Sequence, residues 1–296
     1  MVELWGLGDL ALAMPFLRAA TAHAAVTLLA KPHAAPLLAR FAPAVKHLPL
    51  TVPWTRFSGK YRLVDWPWRA LFAARRQLRQ ERFTLGVSAR RDPRDHALLM
   101  LAGVPRRIGF PRAGSAFLLT DRLAPPPRPH RAAHWETLAQ HLGWPLPADE
   151  LARDRPPPAM RRIVIHTGAG HPVRRWPVAR YDDLAARLRA IGWEVQLIDD
   201  SLTDLPTLLD TLASADRFIG NDSGPGHLAA LLGVPTFTIF GPQLPALFAP
   251  QHPQAAWIDG GACPHKPCFD ACRFPRPHCI ETVSLDAVWP RVQAWL

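Results

Sequence analysis

Lysine is nearly missing from this chain: Lys31, Lys46, Lys60 and Lys266 are the whole complement, so arginine carries almost all of the 35 basic side chains behind a formal charge of +11. A basic surface attracts phosphate polyanions and releases their counterions. Here, however, the arginines are spread along the chain rather than gathered into a tail or a helix stripe. Zinc-finger spacing, a basic-zipper pattern and an aromatic-basic RNA signature are all missing, which argues against a nucleic-acid partner. Sites for anionic small molecules or lipid phosphates account for the excess equally well. Long apolar runs are missing too. No stretch reaches 18 residues, and the most hydrophobic one, 228–240, is broken by Gly233 and Pro235, as suits a helix-to-strand passage rather than a membrane span. No cationic segment leads an apolar one at Met1-Val2-Glu3-Leu4-Trp5, so the reading is a cytoplasmic chain whose membrane contact, if it has any, is peripheral.

Several catalytic signatures are absent. Gly6-Leu7-Gly8-Asp9-Leu10-Ala11 lacks the third glycine of G-x-G-x-x-G, so the dinucleotide fingerprint fails. Ser223 sits in Gly220-Asn221-Asp222-Ser223-Gly224, not in the G-x-S-x-G of a hydrolase elbow. Neither H-E-x-x-H nor a Walker loop occurs. The four cysteines fall in one segment, Cys263, Cys268, Cys272 and Cys279, without the C-x2-C pairs of common zinc knuckles. A tetrahedral zinc or iron, two bridges and four unligated thiols all remain open, with bridges disfavoured in a reducing compartment.

What is present is a globular α/β pattern. The composition is 48% hydrophobic, enough for two cores of about 150 residues each. The 33 prolines are scattered without a repeat, so they punctuate a folded chain. Short β-branched or leucine-rich runs alternate with helical periodicity, which predicts parallel sheets wrapped by helices. The first half reads as strands at 2–5, 26–29, 45–48, 83–87 and 107–109, with helices at 10–20, 36–41, 67–81, 94–102 and 133–142. The second restarts with a strand at 162–166, then a helix at 178–190, strand 194–198, helix 205–213, strand 217–220, helix 226–232 and strand 236–240. A polar, proline-stiffened stretch at 152–159 separates the halves, so the expected domains are 1–155 and 156–296. The last helix, 285–296, places Leu285, Val288, Trp289, Val292 and Trp295 on one face, which must pack on something, the domain junction being one option.

Four stretches carry candidate chemistry. In the first, an apolar strand ends in Asn221-Asp222-Ser223-Gly224, and Pro225 opens a helix. The unpaired N–H groups and positive dipole end of that helix form an anion site, with Ser223 and His227 adding donors one turn apart. The plain alternative is that Asp222 or Ser223 only caps the helix. The second stretch, His166 to Pro177, offers Thr167, Gly168 and the paired Arg174 and Arg175, whose forked guanidiniums suit phosphate oxygens. Solvated arginines before a helix would look the same. In the third, Asp9 follows the first strand, either as a general base toward a sugar hydroxyl or as an N-cap. In the fourth, Arg90, Arg91, Arg94 and Arg112 either grip an anionic acceptor or lie solvated on a loop.

With these residues in view, the chain resembles the ADP-heptose:lipopolysaccharide heptosyltransferases, glycosyltransferase family 9. The resemblance rests on Gly8-Asp9 with Pro15 and Leu17-Arg18; Arg107-Ile108-Gly109-Phe110; Arg174-Arg175-Trp176-Pro177; Ala215-Asp216 and Asn221 through Ala230; and Gly233-Val234-Pro235 with Phe240-Gly241-Pro242. It implies a GT-B fold of two Rossmann-like domains facing a cleft, donor in the C-terminal one and acceptor in the N-terminal one. It also implies inverting transfer of heptose from ADP-heptose to an anionic lipopolysaccharide inner-core acceptor, without metal or cofactor, at the inner face of the inner membrane. By that implication Asp9 is the base, Thr167, Gly168, Arg174, Ser223, Gly224 and His227 hold the diphosphate, and Asp222 orients the helix start or touches donor hydroxyls. Arg174 stands where the family usually has lysine. After Val195-Gln196-Leu197-Ile198 the chain runs directly into Asp199-Asp200-Ser201, so one strand–helix unit is missing, the C-terminal sheet should be smaller, and base and ribose recognition is left open, with Asp199 or Asp200 as stand-ins. Transfer of another nucleotide sugar, or a non-catalytic sugar-nucleotide-binding relative, are the alternatives.

Overall fold

The computed structural model describes residues 1–55, 62, 64, 66–146 and 161–296. The chain divides into two compact units, Met1–Pro147 and Ala148–Leu296. The proline-rich stretch and the 155/156 boundary expected there lie outside the described residues.

In the first unit the elements run β1 (Val2–Glu3), α1 (Leu7–Thr21), β2 (Thr27–Ala30), α2 (Ala34–Phe41), β3 (Lys46–Pro49), α3 (Trp68–Gln80), β4 (Leu85–Ser88), α4 (Pro93–Leu101), β5 (Arg106–Gly109), β6 (Asp121–Arg122) and α5 (Arg131–Leu142). The six strands are parallel in the order β3-β2-β1-β4-β5-β6. Because parallel neighbours need a crossover, β1 to β5 return through α-helices and β5 reaches β6 through a single 3-10 turn, Ser115–Leu118, and the strand order reverses between β1 and β4. Val2, Leu4, Leu29 and Leu48 build one core with Trp54, Leu78, Leu99 and Val104.

The second unit runs β7 (Arg162–His166), α6 (Val178–Ala190), β8 (Glu194–Ile198), α7 (Leu205–Ala213), β9 (Arg217–Asn221), α8 (Gly224–Leu231), β10 (Thr236–Phe240), α9 (Pro245–Phe248), β11 (Ala256–Asp259), α10 (His278–Glu281) and α11 (Leu285–Trp295). Its five parallel strands lie in the order β11-β10-β9-β7-β8, one strand fewer than the first sheet, with the reversal between β7 and β9. Ile163, Ile165, Ile219, Phe237 and Ile239 meet Leu184 and Leu188 of α6 and Val288 and Val292 of α11. The last helix therefore buries its apolar face inside the second unit, and the junction is not needed to cover it. The short edge strands β6 and β11 were not expected from sequence. Among the described residues no helix is long and apolar enough to cross a membrane.

After β11 the chain passes so close to neighbouring backbone that only glycine fits. A Cβ on Gly260 would collide with the Cys279 carbonyl oxygen and sit 2.8 Å from that of Phe240, while Gly260 N–H donates to the Phe240 carbonyl at 2.8 Å. Gly260→Ala should cost about 2 kcal/mol or more, since backbone on two sides must shift. Chemical denaturation measures this; a loss below about 0.5 kcal/mol, the range of an unremarkable surface change, would contradict the close approach.

Candidate active site

In doubly wound sheets ligands bind outside the carboxyl ends of the strands where their order reverses. Both units place their candidate chemistry at such a point. In the first, the loops after β1 and β4 carry Asp9 and Arg90. Asp9 is not the N-cap weighed from sequence: Gly6 holds that position, and Asp9 is the third residue of α1. Its Oδ2 accepts the Gly6 N–H at 3.4 Å, and its Oδ1 pairs with Arg90 Nη2. A carboxylate in the first helical turn is also favoured by the helix dipole.

Arg90 had been a candidate for gripping an anionic acceptor, and the structure corrects that. The side chain is buried, paired with Asp9 and 3.8 Å from Glu3, with its guanidinium 4.8 Å from the centroid of the Trp5 ring. Its charge is spent inside the protein. Arg94 is likewise occupied: it donates to both carboxylate oxygens of Asp92 at 2.8 and 2.7 Å and lies over Trp54. Arg112 is exposed and Arg91 half-buried, so these two remain the acceptor-side candidates.

Glu3, which sequence reading passed over, completes this cluster. Its Oε1 accepts the Trp5 N–H at 3.1 Å. Burial pushes its carboxyl up from 4.5 to about 7, against the lowering pull of Arg90. Nearby Asp95 is fully buried, and desolvation raises it to about 8. The only hint of Glu3 in the sequence was its place in β1, where an acidic residue on a central strand must be paired or neutral.

In the second unit the loops after β7 and β9 are joined by Asn221, a residue quoted within the sequence motif but given no role there. Its buried amide Nδ2 donates to the carbonyls of Thr167 and Gly168, both at 2.9 Å, and its Oδ1 accepts the Trp176 N–H at 2.9 Å. Trp176, wholly buried, donates its indole N–H to the Val283 carbonyl at 2.7 Å. The structure thus brings Thr167, Gly168, Arg174, Asp222, Ser223 and Gly224 to one end of the sheet, with His227 one turn into α8.

Ser223 occupies the N-cap of α8, but its side chain makes no capping bond; its hydroxyl donates to the Asn221 carbonyl at 3.3 Å. The first-turn N–H groups of Gly224, Gly226 and His227 therefore have no side-chain cap from Ser223, while Pro225 has none to offer. Arg174 Nη1 donates to the buried Asp222 carboxylate at 3.1 Å. Its Nε and Nη2 form a fork on Asp270, each bond 2.6 Å. Asp270 was unforeseen; it lies in the cysteine segment, in the left-handed region with φ 72°. Of the two ribose stand-ins, Asp199 accepts the Ser201 N–H at 2.8 Å in a local turn. Asp200 pairs with Arg175 at 2.8 Å and presses on Gly168, where any Cβ would collide with its carboxylate.

The cysteines line a single pocket together with His265, Lys266 and His278. All four are free thiols, and burial raises those of Cys268 and Cys279. Among the described residues no group of three or more histidine, cysteine or acidic side chains is set to hold a metal ion.

The fold defined by the two parallel-sheet units is of the GT-B type. Residues 201–277 match the model of glycosyltransferase family 9 (heptosyltransferase), which bears out the resemblance read from the motifs. Lipopolysaccharide heptosyltransferase 1 of Pseudomonas aeruginosa is 30% identical over 163 residues, 45% of this chain and 45% of that protein. The alignment thus spans under half the length of that relative. E. coli heptosyltransferase WaaC, solved with ADP, superposes with a TM-score of 0.73 at 18% identity, covering 100% of this chain and 98% of the other. A glycosyltransferase of family 9 from Veillonella parvula gives a TM-score of 0.76 at 16% identity, covering 99% and 95%.

The cluster under Asp9 makes stability pH-dependent. Glu3 titrates near 4.5 when unfolded and about 7 when folded, so between those values the folded state holds the extra proton and stability falls as pH rises. Asp95, raised to about 8, extends the decline. The buried Met1 amino group, lowered to about 5, and His134, lowered to about 4, push the other way over this window, so the difference between variants carries the test. Between pH 5 and pH 7 the melting temperature of Glu3→Gln should rise relative to wild type, and a difference that does not change with pH would contradict the Glu3 assignment.

Proposed function

We propose that the protein is an inverting glycosyltransferase that moves heptose from ADP-heptose to an anionic lipopolysaccharide inner-core acceptor, working at the inner face of the inner membrane. The observation that carries this reading is the turn from β9 into α8: an N-terminus of a helix without a side-chain cap, Arg174 beside it, and the β7 loop fastened to it by Asn221. That turn lies within the family 9 match, and the similar proteins named above support the donor and acceptor classes.

The chemistry then divides between the units. The acceptor hydroxyl gives its proton to an Asp9 oxygen as its own oxygen bonds to the anomeric carbon, and the bond from that carbon to the diphosphate oxygen breaks with inversion. Negative charge grows on the departing ADP. Backbone N–H groups of Gly224, Gly226 and His227, the Ser223 and Thr167 hydroxyls and the Arg174 guanidinium meet it with fixed dipoles and one full charge. Arg174 already holds a forked anion, the Asp270 carboxylate. A phosphate taking that carboxylate's place needs no change in guanidinium geometry. Arginine in place of lysine suits this forked exchange. Since fixed donors and Arg174 supply the positive charge, we propose that transfer needs neither metal nor cofactor, and turnover should survive exhaustive chelation.

A second reading, a sugar-nucleotide-binding relative without catalysis or a transferase of a different sugar, is motivated by the connection from β8 to α7. It is short, and both of its candidate ribose contacts are engaged locally, Asp199 with Ser201 and Asp200 with Arg175. Calorimetry with ADP, UDP, GDP and CDP separates the readings: ADP should bind best, another preferred base would change the sugar, and no binding at millimolar nucleotide would favour the non-catalytic relative.

Two substitutions test the roles. Asp9→Asn should lower kcat by about a thousandfold or more, within the range of a lost general base plus its positioning, while leaving ADP affinity within about twofold. Arg174→Ala should weaken ADP binding by about tenfold or more, the loss of a forked charged contact. Unchanged turnover in the first variant, or unchanged nucleotide affinity in the second, would remove that residue from its role.

A further inference from the structure

Helix α3 has an inward face and an exposed one. Leu71, Ala74 and Leu78 turn toward the core of the first unit, and of the helix only Leu78 is fully buried. The outer face carries Trp68, Phe72, Arg75, Arg76 and Arg79 at i, i+4, i+7, i+8 and i+11, a single stripe at helical spacing with Arg69 alongside. This corrects the sequence-based expectation that the arginines form no helix stripe. Trp68 is 44% and Phe72 63% exposed, their ring centroids 6.4 Å apart. No aspartate or glutamate occurs between Trp68 and Gln80.

The stripe continues onto the end of α4. Arg75 Nε donates to the Leu101 carbonyl at 3.3 Å, Arg79 Nε lies within 3.6 Å of a Cβ position on Gly103, and Met100 and Leu101 are 40% and 46% exposed. Single exposed apolar residues are ordinary on a protein surface. Here four of them, two aromatic and two aliphatic, share α3 and the end of α4 with Arg69, Arg75, Arg76 and Arg79, and among the described residues 68–80 and 100–103 none is acidic. Aromatic and aliphatic side chains enter the interfacial depth of a bilayer, while arginine stems lie along the apolar surface and their heads reach the phosphates. A single-stranded nucleic acid would use the arginines and the aromatic rings but has no use for Met100 and Leu101. An acidic protein would pair with the cations, yet it lacks the continuous apolar layer that would take all four side chains at once.

We infer that the outer face of α3, with the end of α4, is a docking surface for bilayers of anionic phospholipid. The inference goes beyond the transferase reading and does not depend on it, because docking is measured without turnover. It gives that reading a place, since an acceptor carried on lipid has to be met at a membrane.

The experiment is flotation of the full chain with vesicles of phosphatidylethanolamine and phosphatidylglycerol, beside vesicles of phosphatidylcholine alone. Wild type should float with the anionic vesicles, release as salt is raised, and stay behind with the neutral ones. Arg75→Gln/Arg76→Gln/Arg79→Gln should lose binding by about tenfold or more. Trp68→Ser/Phe72→Ser should lose a similar amount and, unlike wild type, leave no salt-resistant fraction. The variants give up the Arg75 bond to the Leu101 carbonyl and the Trp68 ring contact with Trp66, so melting temperature can fall slightly, while cooperative unfolding and ADP affinity should stay as in wild type. Arg187→Gln, on α6, should float like wild type. No flotation of wild type, equal flotation with neutral vesicles, or unchanged flotation of both variants would overturn the inference. So would loss of binding to a single-stranded oligonucleotide in these variants while vesicle binding is kept. Failure of Asp9→Asn to lose turnover would sink the transferase reading and leave this one standing.

Discussion

Parallel strands share one direction, so every strand of a parallel sheet releases its chain at the same edge, and where the order reverses two loops leave that edge side by side with no crossover between them. The backbone groups there have no ladder partner and must find other ones. In the second unit Asn221 supplies them. One side-chain amide satisfies the carbonyls of Thr167 and Gly168 and the N–H of Trp176, so the β7 loop and the β9 turn are held as one rigid body. Every donor assigned to the diphosphate hangs on that fastening. Replacing the amide by an apolar group would leave three buried backbone groups without partners, a larger penalty than the loss of the bonds themselves.

The first unit solves the same edge problem with charge. Glu3 at the end of β1, Asp9 in the first turn of α1 and Arg90 after β4 form a cluster in which one buried guanidinium serves two carboxyl groups and stacks on Trp5. The fully buried acid, Glu3, is pushed up to about 7 by desolvation, which the pull of Arg90 only partly offsets. Its more exposed neighbour Asp9 keeps the close pairing with Arg90. Arg90 thus fixes where the Asp9 carboxylate points, and under the proposed transfer that orientation is what a base there would need.

Much of this was legible before any coordinates. Strand and helix alternation marked both sheets because short apolar or β-branched runs alternate with longer stretches of helical periodicity, plainest in the last helix, while the four-residue helices α9 and α10 are too short to show a period. Edge strands β6 and β11 escaped because a two-residue Asp121-Arg122 pair and the mixed Ala256-Trp257-Ile258-Asp259 carry no such run. The start of α8 was legible from Asn-Asp-Ser-Gly-Pro, since proline at a first turn is a local signal. Asn221, Asp270 and Glu3 were not, because their partners lie 45, 96 and 87 positions away in the chain. A long-range contact leaves no period in the sequence.

The same limit explains the arginines. As a composition they were one number, but the fold separates them into two populations. Arg107 donates to the carbonyls of Leu118 and Val104, Arg180 to those of Glu281 and Val283, and Arg90, Arg94 and Arg174 to buried or half-buried carboxylates. Each of these uses the fork to bind two acceptors at once, which an ammonium point charge does less well, so the scarcity of lysine follows from internal architecture as much as from partners. The arginines of α3 belong to the other population. They lie on an outward stripe with Trp68 and Phe72, one local concentration of exposed charge beside others scattered over the surface, such as Arg40, Arg112 and Arg276.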